Sequence, residues 1–283
     1  MTEMTFDLNN DVKIPAIGIG TFQMSADQAQ QAVIDALAAG YRLIDTANAY
    51  LNETGVGRGM QASGVKREDI FLSSKLWPTV YTDDHAVDDT LQRLGTDYVD
   101  LMFLHQPAGD YLAGYRQLEQ AYRDGKVKAI GISNFEGQKL EDLLEHAEIK
   151  PQVIQAEAHP YFTQDAVRQM VAPFGTRLMA WFPLGHGDKN LVNESIFTEL
   201  AQKYHKSNAQ IILRWHTQMG FVVIPGSTNA AHIQANHDIF DFTLTDEDMQ
   251  RIASVKKNIR YYTPSAANEE RYATMQLDFA SEK

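Results

Sequence analysis

Short apolar runs alternate with helix-like runs along nearly the whole sequence. The strand-like runs cover residues 16–20, 41–45, 70–75, 98–104, 129–132, 153–156, 178–181 and 221–224. Helix-like runs lie at 27–39, 82–94, 111–123, 135–146, 164–174 and 208–219. Most of these helices stop at or just before a glycine, namely Gly40, Gly95, Gly125, Gly175 and Gly220. Glycine readily takes the left-handed conformation at a helix end. The strands recur at a spacing of roughly 25 to 30 residues, interrupted by an insertion over 184–200, as βα units of one parallel sheet do. Eight such units in 283 residues predict an α/β chain folded as a (β/α)8 TIM barrel.

A hairpin over residues 4–14, turning at Asn9-Asn10-Asp11, is expected ahead of the barrel. Residues 257–283 are expected as a C-terminal tail over the catalytic face. There Tyr261 and Tyr262 either touch substrate or anchor the tail outside. No linker or composition break divides the chain, so residues 1–283 read as one domain.

Composition narrows the partners. The net charge of −12, from 25 basic and 37 acidic residues, disfavours nucleic acid and anionic membrane surfaces. With no cysteine, disulfides and thiolate chemistry are excluded. The histidines do not form a metal-ligand spacing. The first residues lack a basic-then-apolar leader, and no apolar run approaches the ~20 residues needed to span a bilayer, so a cytoplasmic protein is expected. Gly18-Ile19-Gly20 lacks the third glycine of a dinucleotide fingerprint.

In a barrel of this kind, chemistry collects at the carboxyl ends of the strands. Asp45 ends the second predicted strand, with Tyr50 five residues on. Lys75 ends the third, and His105 follows the fourth. A tyrosine has a pKa of about 10 and is a poor acid at neutral pH, but a neighbouring ammonium lowers that value. Lys75 is the candidate ammonium and Asp45 its counter-ion. His105 is placed to hold a carbonyl oxygen while Tyr50 delivers a proton. Each residue alone has an ordinary structural explanation; their meeting at one barrel edge does not.

Several segments carry a resemblance. They are Gly40-Tyr41-Arg42-Leu43-Ile44-Asp45-Thr46-Ala47 with Tyr50, then Asn52-Glu53, Val56-Gly57, Ser74-Lys75-Leu76-Trp77, Asp97-Tyr98-Val99-Asp100-Leu101, Gly131-Ile132-Ser133-Asn134-Phe135 and Glu157-Ala158-His159-Pro160-Tyr161. In this order they resemble the aldo-keto reductases, most nearly the bacterial 2,5-diketo-gluconate reductase-like branch. The resemblance implies a monomeric barrel that binds NADP(H) without a Rossmann motif and reduces a small carbonyl compound. It implies Tyr50 as general acid, Lys75 and Asp45 as its tuning pair, and His105 as the group orienting the carbonyl. It also implies that Ser133, Asn134 and Gln155 hold the nicotinamide carboxamide and that Trp181 stacks on the ring. Phe22, Trp77 and His105 would face substrate.

The sequence departs from this pattern where the cofactor phosphate would lie. The family commonly has a lysine and an arginine where this chain has Gly226 and His232. Ser227, Thr228, Asn236 and a helix amino terminus remain to bind phosphate. A relaxed preference admitting NAD(H) is therefore expected. Gln106 and Leu51 also replace a common tryptophan and glycine. Two other readings compete with the reductase. One is a Schiff-base aldolase using Lys75, disfavoured because Asp45 keeps that lysine charged; the other is a cofactor-binding protein without turnover.

Overall fold

A computed structural model describes residues 4–282. Strands β1 (Thr5–Asp7) and β2 (Lys13–Pro15) pair antiparallel as the expected hairpin. The strands that follow are β3 (Gly18–Gly20), β4 (Leu43–Asp45), β5 (Phe71–Leu76), β6 (Leu101–Leu104), β7 (Ile130–Ser133), β8 (Val153–Glu157), β9 (Arg177–Trp181) and β10 (Val222–Val223). These eight lie side by side in sequence order, all parallel. A parallel bridge between Ile17 and Val223 joins the two ends, with Val223 N–H donating to Ala16 O at 3.0 Å. The chain is thus a (β/α)8 barrel.

Strand alternation sorts the apolar side chains into two layers. Leu43, Leu101, Phe103, Val153 and Met179 form one buried cluster with Leu8 and Ile14 from the hairpin, which closes one end of the barrel. Their neighbours Ile44, Met102, Leu104 and Ile154 belong to the second cluster, packed against the surrounding helices.

The helix Glu53–Ser63 was not among the expected ones, because Gly55, Gly57 and Gly59 make its sequence a poor helix former. Packing overrides that propensity. A Cβ on Gly55 would lie 2.0 Å from Ala26 O, one on Gly57 2.5 Å from Leu94 O, and one on Gly59 2.7 Å from Gln30 O. The glycines let this helix press against both neighbours. The helix expected from 82 begins only at Ala86, since Asp83 and Asp84 sit in a turn. The insertion contains the helix Ser195–Tyr204, and the tail contains the helix Ala266–Thr274, capped by Ser265.

The tail crosses the barrel at the carboxyl ends of the strands. Glu157, ending β8, accepts the backbone N–H groups of Tyr261 at 2.6 Å and Tyr262 at 2.9 Å. Lys139 pairs with Glu269 at 2.7 Å. Near the far end, Glu282 accepts the backbone N–H of Glu53 and lies 3.2 Å from Arg93. A crossing chain held at three points becomes part of the cavity wall.

Candidate active site

A cavity of about 870 Å³ opens at this face. Its wall includes Phe22, Asp45, Tyr50, Trp77, His105, Ser133, Asn134, Gln155, Trp181, Ser227 and Thr228. Tyr261 and Tyr262 line it too, so the tail aromatics face inward. His232 and Asn236 are not part of that wall: His232 is exposed on the helix Ala230–His237, and Asn236 is buried in it.

Asp45 and Lys75 end up adjacent because β4 and β5 are neighbouring parallel strands, with Asp45 in register with Ser73. Lys75 Nζ donates to Asp45 Oδ2 and to Thr46 O, both at 2.7 Å, and the ammonium is wholly buried. The other carboxylate oxygen accepts from Ser73 Oγ at 2.8 Å and Gln155 Nε2 at 3.0 Å. Every polar atom of the ion pair is engaged, which is the condition for burying it.

Tyr50 lies on a short 3-10 turn, Asn48–Tyr50, that follows β4. Asn52 fixes this loop: its Nδ2 donates to Thr21 O and Met24 O, both at 2.9 Å, and its Oδ1 accepts from Thr46 Oγ1 at 2.9 Å. The phenol ring stands 4.9 Å from Lys75 Nζ, 5.1 Å from the Phe22 ring and 5.5 Å from the His105 ring. Trp77 closes the other side of His105 edge-on at 5.1 Å. The four residues singled out from strand ends therefore meet.

Burial decides the protonation states. It raises the Tyr50 pKa above the ordinary phenol value; Lys75 opposes this and Asp45 adds to it. The expectation of a lowered phenol pKa is corrected on this point, since enclosure in the cleft outweighs the neighbouring ammonium. Burial also pulls the Lys75 pKa down, but Asp45 and Tyr50 together hold it above the ordinary lysine value. His105 is held well below the usual histidine range, first by burial and then by the Lys75 charge. At neutral pH the site thus holds a protonated phenol, a charged lysine and a neutral imidazole. The His105 Nδ1 atom is buried without a partner among the described residues.

The residues expected around a carboxamide are already partly committed. Asn134 Oδ1 accepts from Trp181 Nε1 at 3.0 Å and its Nδ2 donates to His105 O at 3.3 Å. That amide braces the indole and the histidine backbone, leaving one donor hydrogen and one lone pair. Gln155 Nε2 contacts Asp45 and Met179 Sδ, which leaves the side-chain carbonyl. Ser133 remains at the wall with its hydroxyl uncommitted to any described residue.

At the opposite end, Asn229 caps the helix Ala230–His237 and accepts from the backbone N–H groups of Ala231 at 2.9 Å and His232 at 3.2 Å. Ser227 Oγ in turn accepts from Asn229 N–H at 3.1 Å. Two of the amides expected to face an anion are therefore occupied. Gly226 is tightly set, because a Cβ there would lie 3.0 Å from Gly20 O.

Sequence reasoning missed Glu157 as the anchor of the tail and Tyr272 as a wall residue. Glu157 ends β8 as Asp45 ends β4, so the strand-end rule was sufficient to find it. Tyr272 belongs to a tail helix with no buried residue of its own, and no periodic signal points to it.

The aldo/keto reductase family matches residues 16–257. Glyoxal reductase of Bacillus subtilis (strain 168) is 44% identical over 261 residues, covering 90% of this chain and 94% of that protein. The crystal structure of an aldo/keto reductase from Brucella melitensis has a TM-score of 0.86 at 42% identity, covering 90% of this chain and 100% of that one. The Bombyx mori aldo-keto reductase in complex with NADP has a TM-score of 0.88 at 33% identity, covering 96% of this chain and 98% of that one. This chain belongs to the aldo/keto reductase family. Its reaction class is nicotinamide-dependent carbonyl reduction.

The cavity fits the nicotinamide cofactor that this membership implies. Its volume lies within the range of about 300 to 1,000 Å³ usual for small-molecule sites. The Trp181 indole, fixed by Asn134, offers a flat face, and Ser133 offers an open hydroxyl. No described helix is long and apolar enough to cross a membrane.

Proposed function

We propose that this enzyme reduces small aldehydes and ketones with Tyr50 as proton donor, Lys75 and Asp45 as its electrostatic support and His105 as the carbonyl-orienting group. The observation that carries the reading is the fully satisfied Asp45–Lys75 pair, 2.7 Å apart, behind a phenol that opens onto the cavity. A nicotinamide bound in the cavity would supply the hydride. Tyr50 gives its hydroxyl proton to the carbonyl oxygen, and the buried Lys75 ammonium stabilises the phenolate left behind. Neutral His105 hydrogen-bonds the same oxygen and fixes its direction toward the phenol. Phe22 and Trp77 provide apolar walls for a small carbonyl compound.

Ser133, Asn134, Gln155 and Trp181 would hold the nicotinamide, and Ser227 and Thr228 the phosphates. Position 226 offers no side chain, and His232 and Asn236 stand off the cavity wall. The chain accordingly takes NADH as well as NADPH. The test is a panel of aldehydes and ketones, including glyoxal and methylglyoxal, assayed with both cofactors under equal conditions. Turnover with both cofactors, their Michaelis constants within about a hundredfold, supports the reading. A thousandfold preference for NADPH contradicts the cofactor part, and no cofactor oxidation with any carbonyl contradicts the whole.

An aldolase using Lys75 has no support in the geometry. Nucleophilic lysines are discharged by desolvation or a cationic neighbour, and this one is held charged by Asp45.

A further inference from the structure

The helix Glu53–Ser63 begins without a cap from its own first residues. Asn52 stands at the N-cap and belongs to one of the best capping residue types, yet its side chain makes no cap bond. Asn229, by contrast, starts the helix Ala230–His237 in the ordinary way, with its Oδ1 accepting two backbone N–H groups. The Asn52 amide turns back onto the catalytic loop instead. Its Oδ1 accepts from Thr46 Oγ1 at 2.9 Å, and its Nδ2 donates to Thr21 O and Met24 O. Thr46 in turn supplies the carbonyl that accepts from Lys75 Nζ at 2.7 Å. Asn52 therefore serves the Tyr50 loop, and the first amides of the helix need another acceptor.

That acceptor comes from the far end of the chain. The Glu282 carboxylate accepts the backbone N–H groups of Glu53 and Thr54, as an N-cap side chain does. Arg93 fixes it there, with Nε 3.2 Å from Glu282 Oε2 and 2.8 Å from Glu53 Oε2, and the Glu282 side chain is only 1% exposed. A carboxylate at a helix amino terminus is favoured further by the helix dipole. Glu53 extends the link inward, since its Oε1 accepts at 2.5 Å from the hydroxyl of Ser74, the residue before Lys75. Without Glu282 two backbone amides lose their acceptor. Asn52 is the residue placed to replace it, by letting go of Thr46, Thr21 and Met24.

Resting on the reading of Tyr50 as proton donor, we propose that Glu282 is a positioning residue for the reaction: it caps the helix in place of Asn52 and so keeps Asn52 on the loop that carries Tyr50 and braces Lys75.

The test compares the full-length wild type with Glu282→Ala and Glu282→Gln, and takes Tyr50→Phe as the reference for loss of the acid. Turnover of the best carbonyl substrate with NADPH, the KM for that substrate, and backbone hydrogen exchange over residues 46–56 are measured on each. The proposal expects Glu282→Ala to lower kcat about tenfold with substrate KM within about twofold of wild type, because misplacing a catalytic group affects rate more than binding. Exchange over 46–56 accelerates by at least about tenfold. Glu282→Gln keeps a carbonyl acceptor for both amides and recovers most of the turnover and of the protection. If Glu282 only clips the tail down, its loss acts on KM through Met275 and Leu277, the tail residues that line the cavity after Tyr272, and leaves exchange over 46–56 unchanged. That result overturns the proposal. A Glu282→Gln variant as impaired as Glu282→Ala overturns it too, since charge and not capping would then be responsible. Tyr50→Phe with undiminished kcat overturns the proton-donor reading alone, because exchange over 46–56 reports the loop whether or not Tyr50 is the acid.

Discussion

At the strand end of the cavity, Asp45 and Lys75 are buried 2.7 Å apart with every polar atom engaged, whereas at the helix end neither Gly226 nor His232 supplies a fixed cation to the wall. The first region depends on register: β4 and β5 must pair as they do, or the carboxylate and ammonium separate. The second depends on a loop and one helix start, where Asn229 already occupies two amides. Chemistry that requires matched, desolvated charge belongs on the strands. Exposed polar contacts are individually weak, so a surface of this second kind tolerates substitution.

This contrast is broken or sharpened most strongly at Lys75. Lys75→Met removes one member of a buried pair and strands Asp45, so a stability loss of about 3 to 5 kcal/mol is expected. kcat/KM should also fall by a factor of at least ~1,000, because the phenolate loses its counter-charge. Chemical denaturation and turnover measured on one preparation check both. A fully active, fully stable variant would remove the distinction between the two regions.

His232→Arg tests the tolerant end. It should raise the preference for NADPH over NADH by about tenfold through KM, by adding one cation near the helix start. Stability should change by no more than about 0.5 kcal/mol, as expected for an exposed position. Parallel kinetics with the two cofactors and a thermal melt provide the check. An unaltered cofactor ratio would mean that position 232 does not reach the phosphate.

The smallest expected effect is in the pH profile of the wild type. Burial keeps Tyr50 protonated beyond the ordinary phenol range and keeps His105 neutral well below the ordinary histidine value of about 6.5. Proton donation needs both forms, so kcat/KM should vary by less than about threefold from pH 6.5 to about pH 9. A bell with an acid limb near pH 6.5 would show that His105 titrates as an exposed histidine does.

The eight strands were legible because alternation and apolar runs are local signals, and the glycines after the helices marked their ends. The helix Glu53–Ser63 was hidden by Gly55, Gly57 and Gly59, which make sense only once Ala26, Gln30 and Leu94 are brought against them. The four strand-end residues could be grouped because barrel topology converts order along the chain into proximity. Topology does not give the balance of desolvation against charge, so the direction of the Tyr50 shift was misread. Tyr272 was illegible as a wall residue, because a tail helix takes its position from the anchors Glu157, Lys139 and Arg93 and not from its own periodicity.

The central claim is that Tyr50 delivers the proton, and Tyr50→Phe isolates it by deleting one hydroxyl while keeping the ring against Phe22 and His105. Turnover of the best carbonyl substrate and NADPH affinity are measured on the same sample. The expected result is a loss of kcat of at least ~1,000-fold with the dissociation constant for NADPH within about threefold of wild type. A variant that binds cofactor normally and retains more than about a tenth of the wild-type kcat contradicts the account.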